Sequence, residues 1–198
     1  MIKQQKNIIL GVDTGIGGGS LSLWIDGEEV DGWIGSASVS RSEDILSAID
    51  ELLLINRIKK NRIDFIISNE NPGSFTGIRI GSAILKALKN VLPSKFKSIP
   101  VLEAMLYQLA FRTETLAAVP IGRSMVAWLV SDSCGTTAFY QKKLPDFVDF
   151  IKEKRFKQMI IQDDLIKYFL NYEQSFVINA GVNLSAFLVK FINASDNE

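Results

Sequence analysis

Histidine is absent from all 198 residues. That one absence excludes Ser-His and Cys-His triads, paired-histidine zinc sites and every imidazole general base. The single cysteine, Cys134, can neither close a disulfide within the chain nor assemble a thiolate metal site, which suits a reducing compartment. Neither sign of charge predominates. Lys and Arg number 22 and Asp and Glu number 22, so bulk electrostatic attraction to nucleic acid is not expected. Long apolar runs are missing too. Ile8 to Val12 is too short for a signal-peptide core and ends at Asp13, and no stretch approaches the roughly 20 apolar residues of a membrane span. A cytoplasmic protein without membrane contact is expected, and on that reading the sequons at Asn183 and Asn193 are chance matches. What the chain does have is apolar mass. Hydrophobic residues make up 47%, with 12 Phe and 3 Trp, enough to fill one large domain or two small ones.

Hydrophobic periodicity predicts strands alternating with helices. Ile8 to Val12 reads as a buried strand, broken by Asp13-Thr14 and by Gly15, Gly17, Gly18 and Gly19. Ser20 to Ile25 alternates polar and apolar, Asp26-Gly27 is a hairpin signal, and Val30 to Ile34 returns, giving a three-stranded meander. A helix from Glu43 to Ile58 follows, opened by capping-box spacing in Ser40-Arg41-Ser42-Glu43 and closed by Lys59, Lys60 and Arg62. Next come a strand at Asp64 to Ser68, a helix from Ser74 to Leu92, a short strand over Lys97 to Val101 and a helix from Leu102 to Arg112. Strands are expected at Leu116 to Ile121, Met125 to Val130 and Thr136 to Tyr140. The last quarter reads as helices at Asp146 to Lys154, Asp163 to Tyr172 and Leu184 to Ile192, with strands at Gln158 to Ile161 and Phe176 to Ile178. Such an order predicts an α/β fold of mixed sheets flanked by helices. An N-terminal lobe over residues 1–100 and a smaller lobe over residues 101–198 are expected.

Two segments carry chemistry. In Gly11-Val12-Asp13-Thr14-Gly15-Ile16-Gly17-Gly18-Gly19, glycine amides can cradle a phosphate and a strand-end carboxylate can hold hydrated Mg²⁺. No Lys-Ser/Thr pair follows, as a P-loop requires, and Ser20 stands where a dinucleotide fingerprint needs its last glycine. The run is either a tight hairpin corner or a nucleotide-facing loop. In Asn69 to Gly81, Pro72-Gly73 makes a turn, Ser74 or Thr76 can cap, and the helix start offers amides to an anion. Asp13, Thr14, Ser74, Thr76 and Arg79 are the candidate nucleotide or anion contacts. Gly77 and Gly81 share a helix face. Each costs about 1 kcal/mol in a helix interior relative to alanine, so another backbone is expected to approach closely there. Apart from Arg79, Lys86 and Lys89 this helix is apolar almost all round, which suits burial on two sides. Other candidates are weaker. Cys134 has no activating base, Asp163-Asp164 suits a helix start, and Lys152, Lys154, Arg155 and Lys157 read as solvated surface.

The run Pro72-Gly73-Ser74-Phe75-Thr76-Gly77-Ile78-Arg79-Ile80-Gly81 resembles the signature of the TsaB (YeaZ) family. The strand ending in Asp13-Thr14, the Ser42-Glu43 helix start and the segment Ser98 to Ala104 are similar to that family in the same order. The resemblance spans about residues 7 to 130. It implies an actin-like ATPase (ribonuclease H-like) fold with two related α/β lobes. It further implies a non-catalytic subunit that heterodimerises with TsaD and, with the ATPase TsaE, serves threonylcarbamoyladenosine modification of tRNA. The tRNA would be reached only through the complex. No tightly bound cofactor is implied, and ATP or ADP with Mg²⁺ would enter, if anywhere, at a complex interface. The family interface falls on the helices Glu43 to Ile58 and Ser74 to Leu92, so Ile45, Ile49, Leu53, Gly77, Ile80, Gly81 and Ile84 are the expected partner-binding residues. Association costs about 4–15 kcal/mol, and a fully buried Ile or Leu returns about 1.5–3 kcal/mol, so both helices are needed. Two alternatives stand beside this reading: a homodimeric binding protein of the same fold, and a weak ATPase using Asp13 with Mg²⁺.

Overall fold

Two five-stranded sheets organise the chain. The computed structural model describes residues 7–36, 42–169 and 177–195. The first half of the expected capping box, the expected helix end at 170–172 and the strand start at 176 lie outside them. The first sheet contains β1 (Ile8–Asp13), β2 (Ser20–Ile25), β3 (Glu28–Ile34), β4 (Phe65–Asn69) and β5 (Lys95–Ile99), ordered β3-β2-β1-β4-β5. The first three form the expected antiparallel meander. Its corner, Asp26-Gly27, has φ of 54° and 87°, the left-handed pair that a type I′ hairpin requires. β4 and β5 add in parallel on the other side of β1, and α1 (Ser42–Ile55) and α2 (Phe75–Val91) supply the crossovers.

The second sheet repeats that plan. β6 (Thr115–Pro120), β7 (Met125–Ser131) and β8 (Thr137–Lys143) form a meander, and β9 (Gln158–Ile161) and β10 (Val177–Asn179) add in parallel beside β6. α4 (Leu144–Glu153), with Pro145 in its first turn, leads into β9, and α5 (Asp163–Ile166) follows it. Between the halves lies α3 (Val101–Tyr107), five residues shorter at its C-terminal end than the sequence suggests. Arg112 folds back there. Its guanidinium donates to the Tyr107 carbonyl at 2.7 Å and lies 4.7 Å from the centre of the Tyr107 ring, so a helix-ending carbonyl is satisfied without another turn.

Strand alternation sorts the side chains into layers. Ile8, Leu10 and Val12 of β1 pack with Ile45, Ile49, Leu52 and Leu53 of α1 and Ile84 of α2. Ile9 and Ile67 point the other way, against α3 and against α6 (Ser185–Ser195). Ala117, Val119, Ala127 and Ile160 of the second sheet meet the same two helices from the opposite side. Leu116, Trp128, Met159 and Ile161 face outward onto Phe147 and Ile151 of α4. The order of layers is therefore helix pair, sheet, helix pair, sheet, helices. The last helix reaches back to the first sheet: Ser185 N donates to Ser20 Oγ at 3.1 Å. A Cβ at Gly11 would lie 2.7 Å from the Ser185 carbonyl, which is why β1 needs a glycine there. Among the described residues no helix is long and apolar enough to cross a membrane.

Candidate functional site

β1 ends where its carboxylate turns inward. Asp13 is 1% exposed. Its Oδ1 accepts from Gly15 N at 3.0 Å and from Asn69 Nδ2 at 2.9 Å, the first being the two-residue side-chain turn that starts the corner. Asn69, at the end of β4, ties three segments together. Its Nδ2 also donates to the Pro72 carbonyl at 3.0 Å, and its Oδ1 accepts from Val101 N at 3.3 Å. Burial pushes the Asp13 carboxyl up from 3.8 to about 6, and the donors on Asn69, Gly15 and Ile16 only partly oppose that rise.

Around Thr14 and Gly15, part of the space in which an anion was expected is filled by the chain itself. Ser74 N donates to the Gly15 carbonyl at 2.7 Å, and Thr14 Oγ1 donates to the Gly77 carbonyl at 2.8 Å. Ser74 caps α2 by accepting from Gly77 N at 3.1 Å, as its position suggests. A Cβ on Gly73 would stand 2.6 Å from Gly15 Cα, and one on Gly15 would stand 2.9 Å from Ile78 Cδ1. A Cβ on Gly77 or Gly81 would run into Thr14. Gly77 and Gly81 do admit a close approach, but what approaches is Thr14 of the same chain, just past β1, by its carbonyl at Gly77 and by its side chain at Gly81. Among the described residues no group of three acidic or cysteine side chains could hold a metal. The glycine run forms a packed corner in which Asp13, Thr14 and Ser74 are engaged within the chain.

The expected partner-binding residues need the same correction. Ile45, Ile49, Leu53 and Ile84 are buried against the first sheet, Ile45 completely, and Ile80 is half-buried beside them. A stripe that covers a sheet cannot also cover another chain. α2 is buried on one side only, because Ser82, Ala83 and Ala87, small enough to pass as apolar, face outward. What remains exposed on this layer is a different set. Leu54 is 78% and Ile55 64% exposed at the end of α1, with Leu46 on α1 and Val91 on α2 also open.

A cleft of about 1140 Å³ separates the N-terminus of α2 from the β6–β7 turn. Thr76, Arg79 and Phe75 line it from the first lobe, and Arg123 and Phe139 line it from the second. Phe75 is 77% exposed, with the Arg79 guanidinium 5.2 Å from its ring centre. The sequence marked Thr76 and Arg79. It did not mark Asn69, Phe75 or Phe139, although a polar residue closing an apolar strand before Pro72-Gly73 was the available signal for Asn69.

A family model for TsaD, tRNA N6-adenosine threonylcarbamoyltransferase, matches residues 36–162, more than half of the chain. The chain belongs to this family. It is 33% identical over 85 residues to the tRNA threonylcarbamoyladenosine biosynthesis protein TsaB of Haemophilus influenzae. That match spans 42% of this chain and 35% of the relative's own length. YeaZ from Pseudomonas aeruginosa superposes with a TM-score of 0.63 at 16% identity, covering 96% of this chain and 94% of that one. A Bacteroides thetaiotaomicron protein with an actin-like ATPase fold gives 0.54 at 10% identity, covering 96% and 98%. At such identities the superpositions establish the fold, which is the two-lobed actin-like one.

Proposed function

We propose that the chain is a non-catalytic subunit in tRNA threonylcarbamoyladenosine biosynthesis, acting by binding and positioning a TsaD-type partner. The observation that supports this reading is the packed corner: Thr14 and Gly15 lie directly on Ser74, Gly77 and Gly81, so their polar groups are engaged within the chain. An ATPase built on Asp13 would need that carboxylate to reach a metal, whereas it is buried and held by Asn69 and Gly15.

The partner surface is the outer side of α1 with the adjoining Ala83, Ala87 and Val91 edge of α2. Burying Leu46, Leu54, Ile55 and Val91 would contribute about 6–12 kcal/mol at about 1.5–3 kcal/mol each, which offsets most of an association cost of about 4–15 kcal/mol. Ala83 and Ala87 let a second helix pack close between them. A TsaE-like ATPase would join the assembly formed with the partner, with any ATP or ADP and Mg²⁺ held at its interfaces. The free chain would pair with itself through the same helices.

Size-exclusion with light scattering tests this, using the chain alone and then mixed with the TsaD homologue of the same organism. A one-to-one heterodimer that Leu54→Glu with Ile55→Glu abolishes is the expected result. A homodimer indifferent to that homologue would overturn the reading.

A further inference from the structure

We infer that the β5 side of the first lobe, together with the inter-lobe cleft next to it, binds the phosphate backbone of RNA directly. The inference rests on the reading above, a place in tRNA modification, and gives the chain its own contact with the tRNA.

A net charge of zero conceals a polarised lobe. Residues 26–55 hold eight Asp and Glu against one Arg, whereas residues 79–97 hold five Lys and Arg and no acid. In space the acidic group sits on β3 and α1 and the basic group on α2 and β5, and β3 and β5 are opposite edges of the same sheet. Four strand spacings of about 4.8 Å separate those edges by roughly 19 Å, beyond two Debye lengths of about 8 Å at physiological salt. The β3 acids therefore do not neutralise the basic edge; the α1 acids lie nearer, because α1 packs on α2, and of these Asp50 is paired with Lys60.

The cations are arranged as well as concentrated. Phe75, Arg79, Ser82, Lys86 and Lys89 recur at alternating steps of four and three, so they form one outward stripe along α2, and all five are exposed. Arg79 to Lys89 covers about 15 Å at about 1.5 Å per residue, roughly four nucleotide rises of about 3.4 Å. Lys97 of β5 joins Lys86 and Lys89 around a shallow groove that also carries the Ser82 and Ser98 hydroxyls. Glu70 is the acid lining both this groove and the cleft. Ion pairs among the described residues engage Lys60, Lys152 and Lys157, leaving the stripe's cations unneutralised.

The second lobe contributes Arg123 from a strained turn. Arg123 and Ser124 have φ of 48° and 57°, and Met125 N donates to the Gly122 carbonyl at 2.9 Å. This is a type I′ turn, which favours Asn-Gly at its two central positions. Keeping an arginine there places its side chain on the cleft wall, opposite Arg79. The exposed rings of Phe75 and Phe139 in the same cleft offer stacking faces to unpaired bases. No aliphatic side chain lies on the stripe itself, and the apolar residues of this face, Ile78, Leu85 and Phe96, line the groove beside it.

The test pairs fluorescence anisotropy of an unmodified, labelled tRNA transcript with light scattering of the TsaD-homologue mixture. It uses the wild-type chain, a Lys86→Gln, Lys89→Gln, Lys97→Gln triple variant and Arg123→Asn. With five phosphate contacts, wild-type affinity should fall about two hundredfold between 50 and 200 mM salt, and that of the triple variant only about tenfold. Arg123→Asn should weaken tRNA binding with no loss of thermal stability, because asparagine suits the turn better. Both variants should keep the heterodimer. Unchanged tRNA affinity and salt slope in the triple variant would overturn the inference, as would no tRNA binding by either the chain or the heterodimer. Loss of the heterodimer with tRNA binding intact would make this face a protein interface and also overturn it. Salt-dependent tRNA binding by a chain that ignores the TsaD homologue would uphold the inference while the partner reading fails.

Discussion

Thr14 is the residue around which the corner is built, and two glycines exist because of it. A methyl at Gly77 would collide with the Thr14 carbonyl, an atom fixed by the backbone. Gly77→Ala should therefore cost about 1–3 kcal/mol through overpacking, read as a lower urea midpoint at unchanged slope. Asp13 titrates in the opposite sense to a salt-bridged carboxylate. Folded, it keeps its proton up to about pH 6, whereas unfolded it releases it near 3.8. The folded state then binds more protons between those values, so stability falls as pH rises from about 4 to about 6 and levels off above. The fall across that window is on the order of 3 kcal/mol. Asp13→Asn lacks this titration, so its stability relative to wild type should rise across the same window in denaturant midpoints taken at pH 4, 5, 6 and 7. A flat difference would mean that Asp13 is ionised in the folded protein throughout.

At the level of elements, α1 and α2 were legible as helices but not as to which way they face. The recurrence of Ile45, Ile49, Leu52 and Leu53 identifies a stripe, and a stripe fits a sheet of the same chain as well as a partner. The structure assigns it to the sheet, since β1 and β4 offer an equally apolar face that would otherwise stay wet. Two substitutions separate the roles. Ile49→Ala should destabilise the fold by about 2–5 kcal/mol, whereas Leu54→Glu should leave the melting temperature nearly unchanged and act only on association. The N-cap makes a smaller contribution: Ser74→Ala should cost about 1 kcal/mol, measured by chemical unfolding. Turns were more legible than faces. Asp26-Gly27 announced its hairpin, and Pro72-Gly73 announced the entry to α2, because those residues act through their own backbone preferences.

For the whole molecule, the decisive element is the last one. α6 lies on β1, β2 and β4 although about 120 residues separate it from the end of β4. Leu188, Val189 and Ile192 are buried there in the cluster shared by the two sheets. Truncation after residue 184 should therefore remove cooperative unfolding from the first lobe as well as the second, visible as a lost sigmoidal melt in circular dichroism. The polarised charge belongs to this scale too. Composition gives a sum, and only the order β3-β2-β1-β4-β5 turns that sum into an acidic edge and a basic edge.

Sequence by itself determined what depends on near neighbours along the chain: strand and helix order, the glycine turns, the Ser74 cap, and the chemistry that a chain without histidine cannot perform. These follow from backbone preferences and from periods of two and 3.6 residues, which act over a few positions. Tertiary structure alone decided what covers each face. It packed Thr14 against Gly77 and Gly81, turned Ile45 and Ile49 inward and laid α6 on the first sheet. Burial of apolar surface is non-directional, so a hydrophobic stripe records that something must cover it and leaves the choice to whichever surface the fold brings near.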